Sequence, residues 1–279
     1  MRTSTKIALA RLIRAAYLSW SRLRGGPPAV VERRGIRWTI DWDDGIDLSI
    51  ALLGSFEPKV RNACAAFAHS GAVVLDVGAN VGALSLPLAE MVGDAGRVHA
   101  FEPTRRGVER LRANLALNPR LAARVSVHQA FLGRNEGRTP REIRAQWPVV
   151  GSTAGRGEHG GAPCGTDGAR ATSLDALWRE GEFSSIDLVK MDVDGYESEV
   201  LEGATALLRH ARPPIVMELA PAAHDEIGPR RFGRMLELLR DLGYRIRTLR
   251  GRVLPTDEAS LRGWVPAGSG VNVVARVEP

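Results

Sequence analysis

Two groups of residues in this chain have the types and the spacing expected of a ligand-binding or catalytic site. The first is a glycine-rich turn. It reads Asp76-x-Gly78-x-Asn80-x-Gly82 and follows an apolar run. Glycine permits a tight turn and lets a ligand contact bare main chain, and the helix predicted beyond it would direct N–H groups at that ligand. Glu102 ends the next apolar run, where a carboxylate can bind ribose hydroxyls. The pattern predicts a site for a nucleoside-containing small molecule.

The turn differs from the dinucleotide fingerprint, because Asn80 stands where a second glycine would admit a pyrophosphate. Asp76 would repel a phosphate but would suit a cationic amino group. S-adenosylmethionine carries an ammonium, a sulfonium and a ribose and has no phosphate, so the pattern favours this donor over NAD or ATP. The alternative is that Asp76 and Asn80 only cap the following helix, which leaves Glu102 unexplained.

The second group is acidic and surrounds the fourth predicted strand. Lys190, Asp192, Asp194 and Glu197 lie around its end, and Glu218 ends the fifth strand. Converging carboxylates repel one another unless a lysine, a shared proton or a divalent cation compensates. A carboxylate of raised pKa would deprotonate an alcohol that attacks a sulfonium methyl, and Mg²⁺ would instead lower the pKa of the alcohol. The predicted catalytic residues are Asp192, Asp194 and Glu197. The alternative is that Asp192 and Glu197 only cap the helix and anchor the loop.

The elements that must position these residues form an α/β pattern. Near-continuous apolar strands alternate with helices, which predicts a parallel sheet covered on both faces. Ligands bind such a sheet at the strand ends where the strand order reverses. In a methyltransferase-type sheet, this point lies between the first and fourth core strands. The predicted strands are 29–33, 36–40, 73–77, 97–101, 125–132, 186–191, 215–219, 244–249 and 271–277, with helices over 57–68, 81–92, 105–117 and 197–209.

A long segment, 133–172, separates the third and fourth core strands and is rich in glycine over 151–170. A structureless loop of this length in a compact domain is usually functional or disordered. It falls on the ligand side of the sheet. We therefore expect a lid over the acceptor, with an inert flexible insertion as the alternative.

Charge is distributed unevenly along the chain. There are 38 basic and 32 acidic residues, and the whole excess lies in 1–24, which holds six basic residues and no acid. The body is neutral, so no nucleic-acid partner is expected. Two distant cysteines suit a reducing cytosol, and a cytoplasmic location is predicted. Oligomeric state is not readable from the sequence.

Residues 1–28 are predicted to be a basic amphipathic extension before a domain over 29–279. Apolar residues recur there at helical spacing, from Leu9 to Trp20, with arginines around them. Basic amphipathic helices of this kind lie on anionic membrane surfaces. The alternatives are a helix packed on the domain and a frayed tail. No apolar run is long enough for a transmembrane helix.

Several ordered motifs resemble the FkbM family of S-adenosylmethionine-dependent methyltransferases. The match runs from about Val30 to the C-terminus and consists of IDLSIALLGSFEP, DVGANVG, HAFEP, ANLALNP, SLDALW, IDLVKMDVDGYESEVLEGA and PPIVMELAP. The resemblance implies a class I methyltransferase (Rossmann-like) fold, with a mostly parallel seven-stranded sheet, helices on both faces and one antiparallel strand near an edge. It also implies O-methylation of hydroxyls on natural products, glycolipids or sugars.

The resemblance also implies roles for individual residues. Asp192 would lie beside the transferred methyl group. Asp194 stands where the family usually has glutamate, and its shorter side chain keeps the charge but changes its reach by about one C–C bond. The remaining roles concern the donor: Asp76, Gly78, Asn80 and Gly82 would bind its methionine part, Glu102 its ribose, and Gln129 and Ala130 its adenine.

The sequence thus predicts an O-methyltransferase for a small-molecule, sugar or lipid-linked acceptor. One alternative is a non-catalytic module that binds S-adenosylmethionine. Another is a nicotinamide-dependent reductase, which the lack of a Tyr-x-x-x-Lys motif disfavours. His224, placed in a loop after the fifth strand, is a second candidate base. Glu57 would border the donor pocket or only begin its helix.

Overall fold

The computed structural model describes residues 3–22, 26–134, 139–146 and 162–278. Before the central sheet come α1 (Thr3–Arg22), β1 (Val30–Arg33), β2 (Ile36–Thr39), α2 (Gly45–Leu53) and α3 (Pro58–Ala65). The first half of the sheet region contains β3 (Val73–Val77), α4 (Ser85–Val92), β4 (Arg97–Phe101), α5 (Arg105–Ala116), α6 (Pro119–Ala122) and β5 (Val125–His128).

Strand β6 (Ala130–Leu132) precedes the insertion, which contributes β7 (Glu142–Gln146), β8 (Ala162–Gly165) and β9 (Arg170–Thr172). The second half consists of α7 (Leu174–Arg179), β10 (Leu188–Met191), α8 (Glu197–Glu202), α9 (Thr205–Ala211), β11 (Ile215–Leu219), α10 (Pro221–Ile227), α11 (Arg231–Asp241), β12 (Tyr244–Thr248), α12 (Glu258–Trp264) and β13 (Val271–Val277).

The central sheet has seven strands in the order β12-β13-β11-β10-β3-β4-β5. Neighbouring strands from β11 to β5 pair in parallel, while β13 runs antiparallel to both β11 and β12. This arrangement confirms the predicted class I methyltransferase fold. It also puts β3 between β10 and β4, so the strand order reverses between the first and fourth core strands, as predicted.

The alternation of side chains along β3 explains why its sequence is apolar on both faces. Leu75 and Val77 enter one hydrophobic core, and Val74 enters the other. Successive residues of a strand point to opposite faces, so a strand covered by helices on both sides needs apolar residues throughout. Asp76 is therefore exceptional, because it is a fully buried carboxylate within this strand.

Two predicted elements are interrupted in the structure. The predicted helix 197–209 breaks into α8 and α9 at Gly203, where an added Cβ would lie 1.9 Å from the carbonyl oxygen of Gly133. The predicted strand 125–132 divides at Gln129, whose carbonyl accepts a hydrogen bond from the Arg170 amide at 3.0 Å. After this residue the chain leaves the central sheet and pairs with β9 instead.

The insertion contains more secondary structure than the sequence predicted. Strands β7 and β8 form an antiparallel pair, and β9 pairs in parallel with β6. Residues 135–138 and 147–161, which include half of the glycine-rich stretch, lie outside the described residues. Backbone pairing with β6 holds β9 to the domain, and the described part of the insertion is therefore not the structureless loop that was predicted.

Helix α1 contacts the domain through one face. The Arg14 side chain donates a hydrogen bond from Nε to the Trp42 carbonyl at 2.7 Å, and the Tyr17 ring stacks on the Trp42 ring with centroids 4.6 Å apart. In the described part of the chain, no helix has the length and apolar character needed to cross a membrane.

Candidate active site

The glycine turn after β3 brings three parts of the sheet together. The amides of Gly78 and Ala79 both donate to the Phe101 carbonyl at 3.0 Å, which ties the turn to the end of β4. Gly78 has a φ of 82°, and a Cβ added there would lie 1.9 Å from the carbonyl oxygen of Asp192. Because only glycine leaves room for this contact, the ends of β3 and β10 meet at the predicted switch point.

Asp76 lies beneath this turn. Its Oδ2 accepts a hydrogen bond from the Ser85 hydroxyl at 2.5 Å, and its Oδ1 lies 3.2 Å from Lys190 Nζ. Lys190 also donates to the carbonyl of Gly78 at 3.0 Å. Burial alone would lower the pKa of Lys190, but the charges of Asp76 and nearby acids raise it overall. Asp76 and Lys190 thus form a buried ion pair that holds the turn, while contact of Asp76 with the donor ammonium stays a prediction.

Glu102 is 3% exposed and is held by main chain on both sides. Its Oε2 accepts from the Asn80 amide at 2.9 Å, and its Oε1 accepts from the Thr104 amide at 2.9 Å and hydroxyl at 2.5 Å. Burial raises the pKa of Glu102, although these hydrogen bonds oppose the shift. A carboxylate offers about four acceptor positions, so about one remains for a ribose hydroxyl.

The loop after β10 carries the central acids. The Asp192 amide donates to the Val77 carbonyl at 3.0 Å, which continues the β10–β3 pairing up to the turn. Asp194 has a φ of 49°, in the left-handed region that aspartate tolerates better than most residues. Gly195, with a φ of 101°, lies so close to Ala223 that an added Cβ would be 2.6 Å from its carbonyl oxygen.

Glu197 and His224 hold this loop from inside the protein. Glu197 accepts from the amides of Val193 at 3.2 Å and Gly195 at 3.0 Å, and its Oε2 lies 3.1 Å from His224 Nε2. Burial raises the pKa of Glu197 to about 7 and lowers that of His224 to about 4. His224 is fully buried on α10, which corrects its predicted position in a loop. This geometry favours the loop-anchoring alternative for Glu197.

Carboxylates outnumber cations around the loop. Burial raises the pKa values of Asp194 and Glu218 well above their ordinary range, and the charge of Asp192 adds to both shifts. Glu57 stands at the start of α3, and its charge acts on Glu218 and on Lys190, so it lies near these groups. That it borders the donor pocket stays a prediction. One buried lysine does not balance this many acids, and a cationic ligand would stabilise their ionised forms.

The residues present fit S-adenosylmethionine. Its sulfonium and ammonium suit the excess negative charge, and its ribose matches the remaining acceptor position of Glu102. The same negative charge would repel a pyrophosphate. Gly78, Asn80 and Gly82 all have positive φ values, from 48° to 86°, which the close main-chain turn of a donor cradle requires. The individual donor contacts of these residues stay predictions.

Gln129 and Ala130, the residues predicted along the adenine, lie where the chain turns from β5 to β6. The Gln129 side chain donates to the Asp167 carbonyl at 3.0 Å, so this residue contacts the insertion. Cys164 of β8 lines a small cleft together with Asn80 and Thr104. The described part of the insertion therefore borders the donor side of the site, and whether it covers an acceptor is not tested.

Mg²⁺ was one predicted way to compensate the acids. Across 3–22, 26–134, 139–146 and 162–278, no three His, Cys, Asp or Glu residues are arranged to hold a metal ion. The magnesium prediction therefore gains no support from the geometry.

Several supporting residues were missed in the sequence. Ser85 and Thr104 bind the two donor-site carboxylates, and buried Asn114 donates to the Val81 carbonyl at 2.9 Å. Gly107 leaves room for Glu102, since a Cβ added at Gly107 would lie 2.7 Å from the Cγ of Glu102. The one available signal was Thr104-x-x-Gly107 at a helix start, because threonine is a frequent N-cap.

The fold and the site together define a class I methyltransferase. The sequence matches the methyltransferase FkbM domain over residues 76–246, which is more than half of the chain. The protein belongs to the FkbM family of S-adenosylmethionine-dependent methyltransferases. No curated protein sequence matches it.

The solved structures that are similar in fold include three methyltransferases. The FkbM methyltransferase of Methylobacillus flagellatus is 19% identical, with a TM-score of 0.45, over 74% of this chain and 44% of that protein. This chain therefore spans less than half of its length. An O-methyltransferase of Thermotoga maritima is 16% identical over 91% and 79% of the two chains, with a TM-score of 0.44. A methyltransferase of Aquifex aeolicus is 18% identical over 85% and 95%, with a TM-score of 0.43. At these values the similarity says nothing about what this chain methylates.

Proposed function

We propose that this protein transfers a methyl group from S-adenosylmethionine to a hydroxyl of a small-molecule, sugar or lipid-linked acceptor. One observation carries the proposal: Gly78 contacts the Asp192 carbonyl, so the donor turn and the acidic loop share one edge of the sheet. When bound, S-adenosylmethionine supplies an electrophilic methyl group on a cationic sulfur.

In this proposal Asp194 receives the acceptor proton. A general base works best when its pKa lies near the working pH, and burial together with the charge of Asp192 raises the pKa of Asp194 strongly. Asp192 lies closest to the turn and orients the acceptor hydroxyl. Lys190 and Asp76 keep the turn in place, and Glu197 holds the loop.

The first test is donor binding by the full chain. S-adenosylhomocysteine at about a hundred times its dissociation constant should stabilise the protein by roughly 2.7 kcal/mol, with NAD as the control. Stabilisation by NAD alone would favour the reductase alternative and overturn the proposal.

The second test separates catalysis from binding. Asp194→Asn should keep the fold, because asparagine also tolerates a positive φ, and should keep affinity for S-adenosylhomocysteine within a few-fold. Methyl transfer to a responsive hydroxyl acceptor, found by screening with labelled donor, should fall by about 10² or more. The control is Asp241→Asn, an exposed acid paired with Arg240.

Unchanged turnover by Asp194→Asn would exclude the base role of that residue. Donor binding without transfer to any hydroxyl acceptor in the screen would favour the non-catalytic binding module. Transfer to an amine or a carbon, but to no hydroxyl, would keep the methyltransferase and overturn the acceptor class.

A further inference from the structure

Helix α1 contacts the domain through one side and leaves several apolar side chains exposed to solvent. The contacts with Trp42 come from Arg14 and Tyr17, and Arg14 also pairs with Asp43. Ser21, one turn beyond Tyr17, is 3% exposed. These residues share one side of the helix, so the domain occupies that side.

The adjoining side of the helix is apolar and exposed, and at its edge the Trp20 ring lies near the Tyr17 ring, with centroids 5.9 Å apart. Leu12 is 70% exposed, Ile13 44% and Trp20 49%, and Ala16 between them is also exposed. Residues at these spacings lie on one face of a helix. In the part of the chain that the structure describes, six large apolar side chains are exposed, and three of them lie on this face. A globular domain rarely leaves such a face uncovered without a binding partner.

The charge of the same segment indicates what covers it. Residues 1–24 carry the whole positive excess of the chain and no acid. Apolar side chains that enter the boundary between headgroups and acyl chains, with basic residues beside anionic headgroups, are the mode by which amphipathic helices bind membranes. A second copy on this face would instead bring two basic segments together.

We propose that the Leu12–Ile13–Trp20 face of α1 docks the protein on an anionic lipid bilayer. Because α1 is fixed to the domain, docking would hold the domain at the membrane surface. The inference is independent of the methyl-transfer proposal and requires neither donor nor acceptor.

The test is sedimentation of the full chain with vesicles, at about 0.1 M salt so that screening is realistic. One vesicle type is phosphatidylcholine alone, and the other contains roughly a third phosphatidylserine to provide a negative surface potential. Wild type should sediment with the anionic vesicles only. The variant Leu12→Ser/Ile13→Ser should reduce the partition coefficient by about ten-fold or more. Val253→Ser, at a similarly exposed residue far from α1 in sequence, should bind as wild type does.

Vesicles of brominated lipids test whether Trp20 enters the bilayer. They should quench wild-type tryptophan fluorescence, and Trp20→Phe should lose most of that quenching. The proposal is overturned if wild type fails to bind anionic vesicles, or if the double variant binds them undiminished. It is also overturned if the chain forms a dimer that the double variant dissociates, with no vesicle binding. Stabilisation of the double variant by S-adenosylhomocysteine shows that it is folded and keeps this result separate from the methyl-transfer proposal.

Discussion

Gly78 is the residue through which two neighbouring strand ends contact each other. An added Cβ would lie 1.9 Å from the Asp192 carbonyl oxygen, and φ is 82°. We expect Gly78→Ala to destabilise the protein by about 3 kcal/mol or more, because backbone atoms must move apart. Donor binding should be lost with it. Urea denaturation and titration with S-adenosylhomocysteine measure the two effects.

Gly71 provides a matched control for this prediction. Its φ is 84°, nearly that of Gly78, but an added Cβ would meet nothing within 4 Å. Gly71→Ala should therefore cost only the backbone strain, about 1 kcal/mol, and should leave donor affinity unchanged. Equal losses of stability in the two variants would show that backbone strain alone, and not the contact with Asp192, explains why position 78 needs glycine.

At the residue scale, the sequence predicted well which residues lie together at the site. It predicted less well which groups each of them contacts. The motif spacing predicted that the turn, Glu102 and the Asp192 loop share one sheet edge, because parallel strands end together. It did not predict that Asp76 faces Lys190 beneath the turn, since that pairing depends on strand register. His224 was misplaced for a similar reason: nothing in its neighbourhood reveals that Glu197 lies 3.1 Å away.

At the scale of elements, the loop between β10 and α8 is held by a buried acid and a buried histidine. The folded pKa of Glu197, about 7, exceeds its ordinary value of 4.5, so its contribution to stability is full below pH 4.5 and lost as pH rises through 7. The folded pKa of His224, about 4, lies below 6.5, so its contribution is full above pH 6.5 and lost as pH falls through 4.

These two dependences oppose each other between pH 4.5 and 6.5, and the pair contributes little net slope there. Removing one of the two groups should therefore reveal the pH dependence of stability that the other group causes. Glu197→Gln should lose stability relative to wild type as pH falls from 6.5 to 4.5, and His224→Gln should lose it as pH rises over the same range. Each change should be roughly 2 kcal/mol.

Urea denaturation at several pH values measures both profiles. Asp225 and Arg262, which also act on His224, are present in both variants, so the difference between the profiles isolates the pair. Parallel profiles for wild type and both variants would mean that the two groups titrate normally in the folded protein.

The elements themselves were predictable where periodicity is long and local. The five parallel core strands follow from apolar runs alternating with helices, whereas their order was expected from the resemblance to methyltransferases. The breaks at Gly203 and Gln129 were not predictable, because each arises where backbone from elsewhere in the chain comes close. The carbonyl of Gly133 approaches Gly203, and the amide of Arg170 bonds to Gln129. Helix α12 escaped prediction as well, although Asp257 caps it by accepting from the Ser260 amide at 2.8 Å.

At the scale of the whole molecule, charge is divided between a basic N-terminal helix and an acidic site. Lys190 lies among the site acids, and burial with mutual repulsion raises the pKa values of Asp194 and Glu218. A bound cation favours the ionised carboxylates, so it lowers these pKa values and releases protons. By linkage, affinity for a cationic ligand increases as pH rises through them.

S-adenosylmethionine and S-adenosylhomocysteine differ by this charge, since the second is a neutral thioether at sulfur. If the proposed function is correct, the affinity ratio in favour of S-adenosylmethionine should increase with pH, as measured by calorimetry in buffers of different ionisation heat. Glu218→Gln should flatten the increase, because it removes one of the two acids whose pKa values are raised most strongly. Asp241→Asn, which removes an exposed acid paired with Arg240, should leave it unchanged. An identical pH dependence for the two ligands would mean that the acids do not face the sulfur, and that they act on the acceptor side alone.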